Sequence, residues 1–257
     1  MVDQVLTSIS RGRWWLAASA AILIVLSLVP PAGTYARHYV LAESLQFCVF
    51  AVVVPALLVL GAPWRTLRLT GPMRRDGTWR SSRAAFWRGA MVLAAFIGAV
   101  IVWRLPPCVN ALARDPGLAV LELVTLAAAG TMLWLELVES PPLLPRLIRP
   151  VRAAFAALAM WTIWVLAYIL GFSQAVWFRA YSHPGLSPVA DQEIATGIMW
   201  AVSAACFIPV VYVTALTWLR DTEDPDEGLR TVAREQDPEA RPGRWPRPPR
   251  GWNAHSA

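Results

Sequence analysis

Six long apolar stretches constrain the fold of this chain more than any other feature. They run Trp14–Val29, Val40–Leu60, Trp87–Trp103, Leu118–Val138, Val151–Phe172 and Ile194–Leu219, each 16 to 26 residues long. A helix needs about 20 mostly apolar residues to cross the hydrocarbon core of a bilayer. None of the six shows the sustained period of two that a half-buried strand requires. Charge agrees with this reading: only 16% of the 257 residues are charged, where a soluble domain carries about 25%. Fourteen Trp suit a protein with membrane interfaces to anchor. The expectation is an all-α integral membrane protein, with six transmembrane helices in one bundle over residues 1–220. Pro55 and Pro209 fall inside spans and read as kinks, because neighbouring helices can re-satisfy the freed backbone groups.

Arginine placement predicts the orientation. All 23 basic residues are Arg. With the amino terminus in the cytoplasm, 19 of them fall on cytoplasmic segments, and only Arg37, Arg104, Arg114 and Arg179 fall outside. Cytoplasmic loops carry the basic excess, so both termini are expected in the cytoplasm. The same split removes a nucleic-acid reading of the +6 net charge, because the basic residues mark topology and do not form one soluble face. The first span follows Arg11 and Arg13, as a signal peptide would. Pro30-Pro31-Ala32-Gly33-Thr34 behind it offers no clear small-x-small cleavage site, so it reads as a retained anchor.

Residues 221–257 hold six Pro, six Arg and eight Asp or Glu. They cannot bury enough apolar surface to offset chain entropy, and a disordered cytoplasmic tail is expected. In the loop between the second and third spans, Gly71-Pro72 and Asp76-Gly77 read as turns. Three Cys without a CxxC indicate neither a disulfide framework nor a zinc motif.

An ionisable group within a span is costly and marks a candidate site. Glu43 and Glu122 lie three and four residues past the outer starts of their spans. At 1.5 Å per residue both sit within roughly 6 Å of the outer boundary. They are either satisfied helix-end carboxylates or parts of one shared site. Glu136 sits at the opposite end of its helix, in reach of headgroups or an Arg. Further polar groups collect on the outer side: Gln46 on the face of Glu43, Arg104 and Cys108 after the third span, His183 in the last outer loop, and Asp191, Gln192 and Met199 at the start of the sixth span. Each has a plain reading as well. Acidic residues are favoured at a helix amino terminus without any ligand, Met packs more often than it ligates, and a loop His is commonly solvated. No nucleophile elbow, P-loop, dinucleotide fingerprint or HExxH is present, and no enzyme is indicated. Scarce His also disfavours a haem carrier or membrane redox enzyme.

The order of motifs resembles a known family. Glu43-Ser-Leu-Gln46-Phe47 opens a span closing on Leu60-Gly61-Ala-Pro63. There follow Trp103-Arg-Leu-Pro106, then Leu121-Glu122-Leu123, then Ala190-Asp191-Gln192 leading to Gly197-Ile-Met199-Trp200. Over about Tyr35 to Leu219 the chain resembles the CtaG family of multi-helix cytochrome c oxidase assembly proteins. The resemblance implies His at the places of Glu43, Phe47, Arg104 and Leu123. Those His look like the family's metal-handling groups, since imidazole suits copper. Phe and Leu cannot ligate, Arg is a cation, and Glu is a poor Cu(I) ligand.

The scaffold therefore carries over and the copper site does not, so no cofactor is expected. Arg104 beside Glu43 and Glu122 would replace a metal site with an ion-pair cluster. The implied function is a membrane-embedded accessory factor for assembly of a respiratory cytochrome c oxidase. It would reside in the bacterial cytoplasmic (inner) membrane as a multi-pass protein, with oxidase subunits or other assembly factors as partners. The alternative is a small-molecule or ion transporter using the outer polar cluster.

Overall fold

The computed structural model describes residues 2–66, 83–140, 143, 145, 147–173, 175–181 and 185–223, with side chains from residue 13 to 64 and 83 to 220 within those ranges. The expected turns near Gly71 and Asp76, His183, and the tail beyond 223 lie outside the described residues. The chain divides into two compact units, Met1–Ala215 and Leu216–Ala257. Every site residue discussed below belongs to the first.

Among the described residues the chain is helical, with one isolated bridge between Ser140 and Leu143. Five helices are long and apolar enough to cross a membrane: Val40–Gly61, Arg83–Arg104, Pro116–Leu137, Arg149–Gly171 and Pro188–Arg220. We label the helices α1 (Val2–Leu28), α2 (Ala32–Tyr35), α3 (Val40–Cys48), α4 (Val54–Gly61), α5 (Pro63–Thr66), α6 (Arg83–Arg104), α7 (Pro106–Leu112), α8 (Pro116–Leu137), α9 (Arg149–Gly171) and α10 (Pro188–Glu223). The first expected span corresponds to α1, whose apolar part is the shorter stretch Arg13–Leu28.

The span Val40–Gly61 is the centre of the bundle. Of its most apolar stretch 67% of residues are buried, against 22% in the corresponding stretches of Arg83–Arg104 and Pro188–Arg220. It is two α-helices joined by a π-helical turn at Val49–Val53, with Pro55 at the start of α4. Proline lacks an N–H, and the widened turn before it accommodates the missing bond, so the irregularity expected at Pro55 takes this form. Small residues let neighbours approach closely, as is common where helices pack in membranes. A Cβ on Gly61 would meet Ala17 of α1 at 2.6 Å, and one on Gly130 of α8 would clash with the backbone of Ala51.

Helix ends follow local chemistry. The residue before a proline is pushed to extended backbone. Leu105, ahead of Pro106, is extended and ends α6 at Arg104. Asp115 caps α8, its Oδ1 accepting from the Gly117 N–H at 2.8 Å and the Leu118 N–H at 3.3 Å, with Pro116 next in line. Prolines there cost nothing, because the first helical N–H groups have no partner within the helix. These two stops bring Arg104 and the first turns of α8 to the end of the bundle where α3 begins. The opposite end joins α4, α8 and the start of α9: the Ser140 hydroxyl donates to the Val59 carbonyl, and Arg152 donates from Nε to the Leu137 carbonyl at 2.8 Å.

Candidate functional site

Three helices deliver one charged residue each to the same buried point. Arg104 closes α6, Glu43 lies in the first turn of α3, and Glu122 lies in the second turn of α8. They are 2%, 4% and 3% exposed, so solvent contributes almost nothing. Arg104 Nη2 pairs with Glu43 Oε1 and lies 3.6 Å from Glu122 Oε1. Arg104 Nη1 donates to the Ser44 hydroxyl at 2.9 Å. The guanidinium carbon stands 4.0 Å above the centre of the Phe47 ring, within the range where a cation is drawn to an aromatic face. A buried charge is tolerable only with close, hydrogen-bonded partners. Arg104 has a carboxylate, a hydroxyl and a ring face, and the proximity expected among the three charged residues is met in the geometry.

The arrangement is not fully satisfied. Arg104 Nε, Glu122 Oε1 and the Tyr181 hydroxyl are buried without a hydrogen-bond partner. Tyr181 follows α9 in chain order, is 2% exposed, and senses the charges of Glu43, Arg104, Glu122 and Asp191. Burial first, then the Glu43 carboxylate, pushes its phenol well above the ordinary value. Tyr181 is therefore a neutral O–H facing the cluster.

The other sequence-predicted residues are placed elsewhere. Asp191 is completely buried and accepts from the Val40 and Leu41 N–H groups at 2.8 and 2.9 Å. It caps α3, a helix 150 residues distant in sequence, where its own helix had been the expected setting. A carboxylate is favoured there by the free N–H groups of the first turn. Gln192 holds the segment after α9, accepting from Trp177 N–H at 3.1 Å and donating to Leu170 O at 2.7 Å. Gln46 does not turn to Glu43; its Nε2 donates to Ser27 O of α1 at 2.9 Å. Met199 is 1% exposed within the main apolar core, and Cys108 packs against that core from α7. His183 lies outside the described residues. Glu136, at the other end of α8, pairs with Arg88 at 2.7 Å.

Sequence reading missed Ser44, Cys48 and Tyr181 as neighbours of the charges. Ser44 had a signal: a buried guanidinium has five donors to satisfy, and Ser44 adjoins Glu43. Cys48 lies in electrostatic reach of Arg104 and Glu43, but nothing in an apolar helix singles it out. Tyr181 sits in an irregular segment with no periodicity to read. Asn110 was missed too. It ties α7 to the segment after α9, donating to Trp177 O at 3.0 Å and accepting from Ala180 N–H at 2.8 Å.

A family model described as cytochrome c oxidase caa3 assembly factor matches residues 3–221. The chain belongs to this family. No curated protein and no solved structure matches it. The caa3 assembly factor family, with five helices fit to cross a bilayer, makes this a membrane protein. The copper implied by the earlier resemblance does not fit the residues here. Where that resemblance implies His, this chain has a carboxylate, a phenyl ring, a guanidinium and a leucine. The Arg104 cation, paired with Glu43 and 3.6 Å from Glu122, would repel a metal ion. Among the described residues no group of three or more His, Cys, Asp or Glu is arranged to hold one.

Proposed function

We propose that this caa3 assembly factor family member works within the membrane by holding oxidase subunits or another assembly factor, and not by carrying copper. In this reading it is a multi-pass protein of the bacterial cytoplasmic membrane, with α1 as a sixth span and both termini in the cytoplasm. The carrying observation is the family match along 3–221 together with an Arg–carboxylate cluster at positions where the resemblance implies histidine. Such a cluster joins α3, α6 and α8, and Asp191 adds α10 to α3. Its chemistry suits a rigid scaffold better than a metal relay, since guanidinium and protonated or ion-paired carboxyl groups offer Cu(I) no soft donor. The transporter reading lacks a comparable support. It needs a polar path through the other half of the bundle, where Glu136 is engaged by Arg88 and the core is apolar.

The test is a deletion strain complemented with the wild-type chain or with Arg104→Ala, read by oxidase haem absorbance and oxygen consumption, beside metal analysis of the purified protein. The expected result is lowered oxidase in the deletion strain, restored by the wild-type chain, co-purification with oxidase subunits or another assembly factor, and substoichiometric copper. Unchanged oxidase in the deletion strain would refute the accessory role. Stoichiometric copper surviving dialysis would refute the metal-free reading and direct attention to Cys108, Met199 and His183.

A further inference from the structure

We infer that Glu43 and Glu122 hold one proton between them, making the buried cluster a neutral proton-binding site. Arg104 brings one positive charge to two carboxyl groups, and all three residues are 2–4% exposed. With both carboxyls ionised the cluster would carry a net negative charge in a low-dielectric interior. An unbalanced buried charge is what a fold of this kind avoids, and two carboxylates sharing a site resolve it by keeping one proton.

The geometry says how the proton is held. Both carboxyls converge on one guanidinium nitrogen: Arg104 Nη2 pairs with Glu43 Oε1 and lies 3.6 Å from Glu122 Oε1. Two ionised carboxylates, both acceptors only, cannot bond; a carboxylic acid and a carboxylate can. The guanidinium is committed to Glu43, whereas Glu122 Oε1 is 3.6 Å away and has no hydrogen-bond partner. Glu43 is thus the better-stabilised anion, and Glu122 the natural proton carrier, donating toward Glu43.

The groups facing this pair from each packed element leave the charge count unchanged. From α3 come Ser44, which is neutral, and Cys48; from α6 comes Arg104. The segment after α9 contributes the Tyr181 hydroxyl, a neutral donor with no partner. Asp191 of α10 acts electrostatically on Tyr181, and its negative charge is met by two backbone N–H groups of α3. Among the described residues no second cation is recorded in contact with the two carboxyls. The proton site is independent of what the protein assembles, so it stands or falls apart from the oxidase reading.

Infrared difference spectroscopy on the purified full-length chain in detergent at neutral pH tests this. The expected result is a C=O absorption of an un-ionised carboxylic acid that moves to lower frequency in D2O. It should disappear in Glu122→Gln and equally in Glu43→Gln, since either change leaves one carboxylate to balance Arg104. It should persist in Glu136→Gln, the other buried glutamate among the described residues. Absence of the band in the wild-type chain overturns the inference, and so does its survival in either Glu43→Gln or Glu122→Gln. Loss of the band in Glu136→Gln overturns it as well. Should a Gln variant fail to fold, the wild-type band, its deuterium shift and the Glu136→Gln control still decide the matter.

Discussion

The two ends of the bundle use the same chemistry in opposite settings. At one end Arg104 meets Glu43 and Glu122, with side-chain exposures of 1%, 5% and 4%. At the other end Arg88 meets Glu136 at 2.7 Å with exposures of 44% and 10%, and Arg152 meets Glu139 at 3.3 Å with exposures of 11% and 59%. Each of those pairs has one partner reaching out of the protein. An exposed ion pair is worth about 0–1 kcal/mol, whereas removing one partner of a buried pair costs about 3–5 kcal/mol. The contrast is one of consequence more than of strength. The exposed pairs can fail at little cost, while the buried cluster cannot lose Arg104 without leaving carboxyl charge that no other cation meets among the described residues. Function is better sought at the end where the bundle has committed itself.

The largest expected effect is therefore at Arg104. Arg104→Ala should destabilise the protein by about 3–5 kcal/mol, read as a lowered melting temperature in detergent. Adding Glu43→Gln and Glu122→Gln to that variant should recover part of the loss, because the repelling carboxyls go with the arginine. Purely additive effects across the cycle would mean that the three residues do not act together. Next comes Asp191, which binds two N–H groups of α3 from a helix remote in sequence. Asp191→Ala should cost about 2 kcal/mol, at the upper range for lost helix caps. Asp191→Asn should recover part of that, keeping an acceptor without the charge. Amide exchange at Val40 and Leu41 is the sharper reading, and unchanged protection there would break the assignment.

How much of this was legible in the sequence differs between the ends as well. Five of the expected spans match helices long enough to cross a bilayer, because apolar length is a local property that composition carries directly. Glu43, Glu122 and Arg104 were legible as a group because charges within spans are rare enough to stand out. The roles of Asp191 and Gln46 were not. Gln46 was read on the helix face of Glu43 and Asp191 at the amino terminus of its own helix, and both bond to other segments: Asp191 to the start of α3, Gln46 to α1. A side chain's partner is decided by helix packing, which periodicity does not encode. Tyr181 was invisible for a related reason, since it enters the core from an irregular segment. The π-turn at Val49–Val53 left only the proline as its trace.

At the opposite end the expected effects shrink. Arg88→Ala removes the partner of Glu136, but the arginine it removes is 44% exposed at its side chain and so already largely solvated. A loss of about 1 kcal/mol is expected. A loss as large as that of Arg104→Ala would erase the distinction between the ends.

The smallest effect should come from Glu139. Its carboxylate is 59% exposed and meets Arg152 Nη1 at 3.3 Å, a long contact for a charge-assisted bond. Arg152 has a second engagement that does not depend on Glu139, since its Nε donates to the Leu137 carbonyl at 2.8 Å. That carbonyl belongs to the last turn of α8, where carbonyls lack helical partners and favour a cation. Glu139→Gln leaves this bond in place, removes only a solvent-screened charge, and should shift stability by no more than a few tenths of a kcal/mol. Raising salt should change neither form much more than the other. Arg152→Ala, in contrast, loses both the carbonyl bond and the packing of its stem, and should exceed Glu139→Gln in effect. If Glu139→Gln proved as costly as Arg152→Ala, the pair would be working as a buried one. Exposure would then no longer explain why the two ends of this bundle differ.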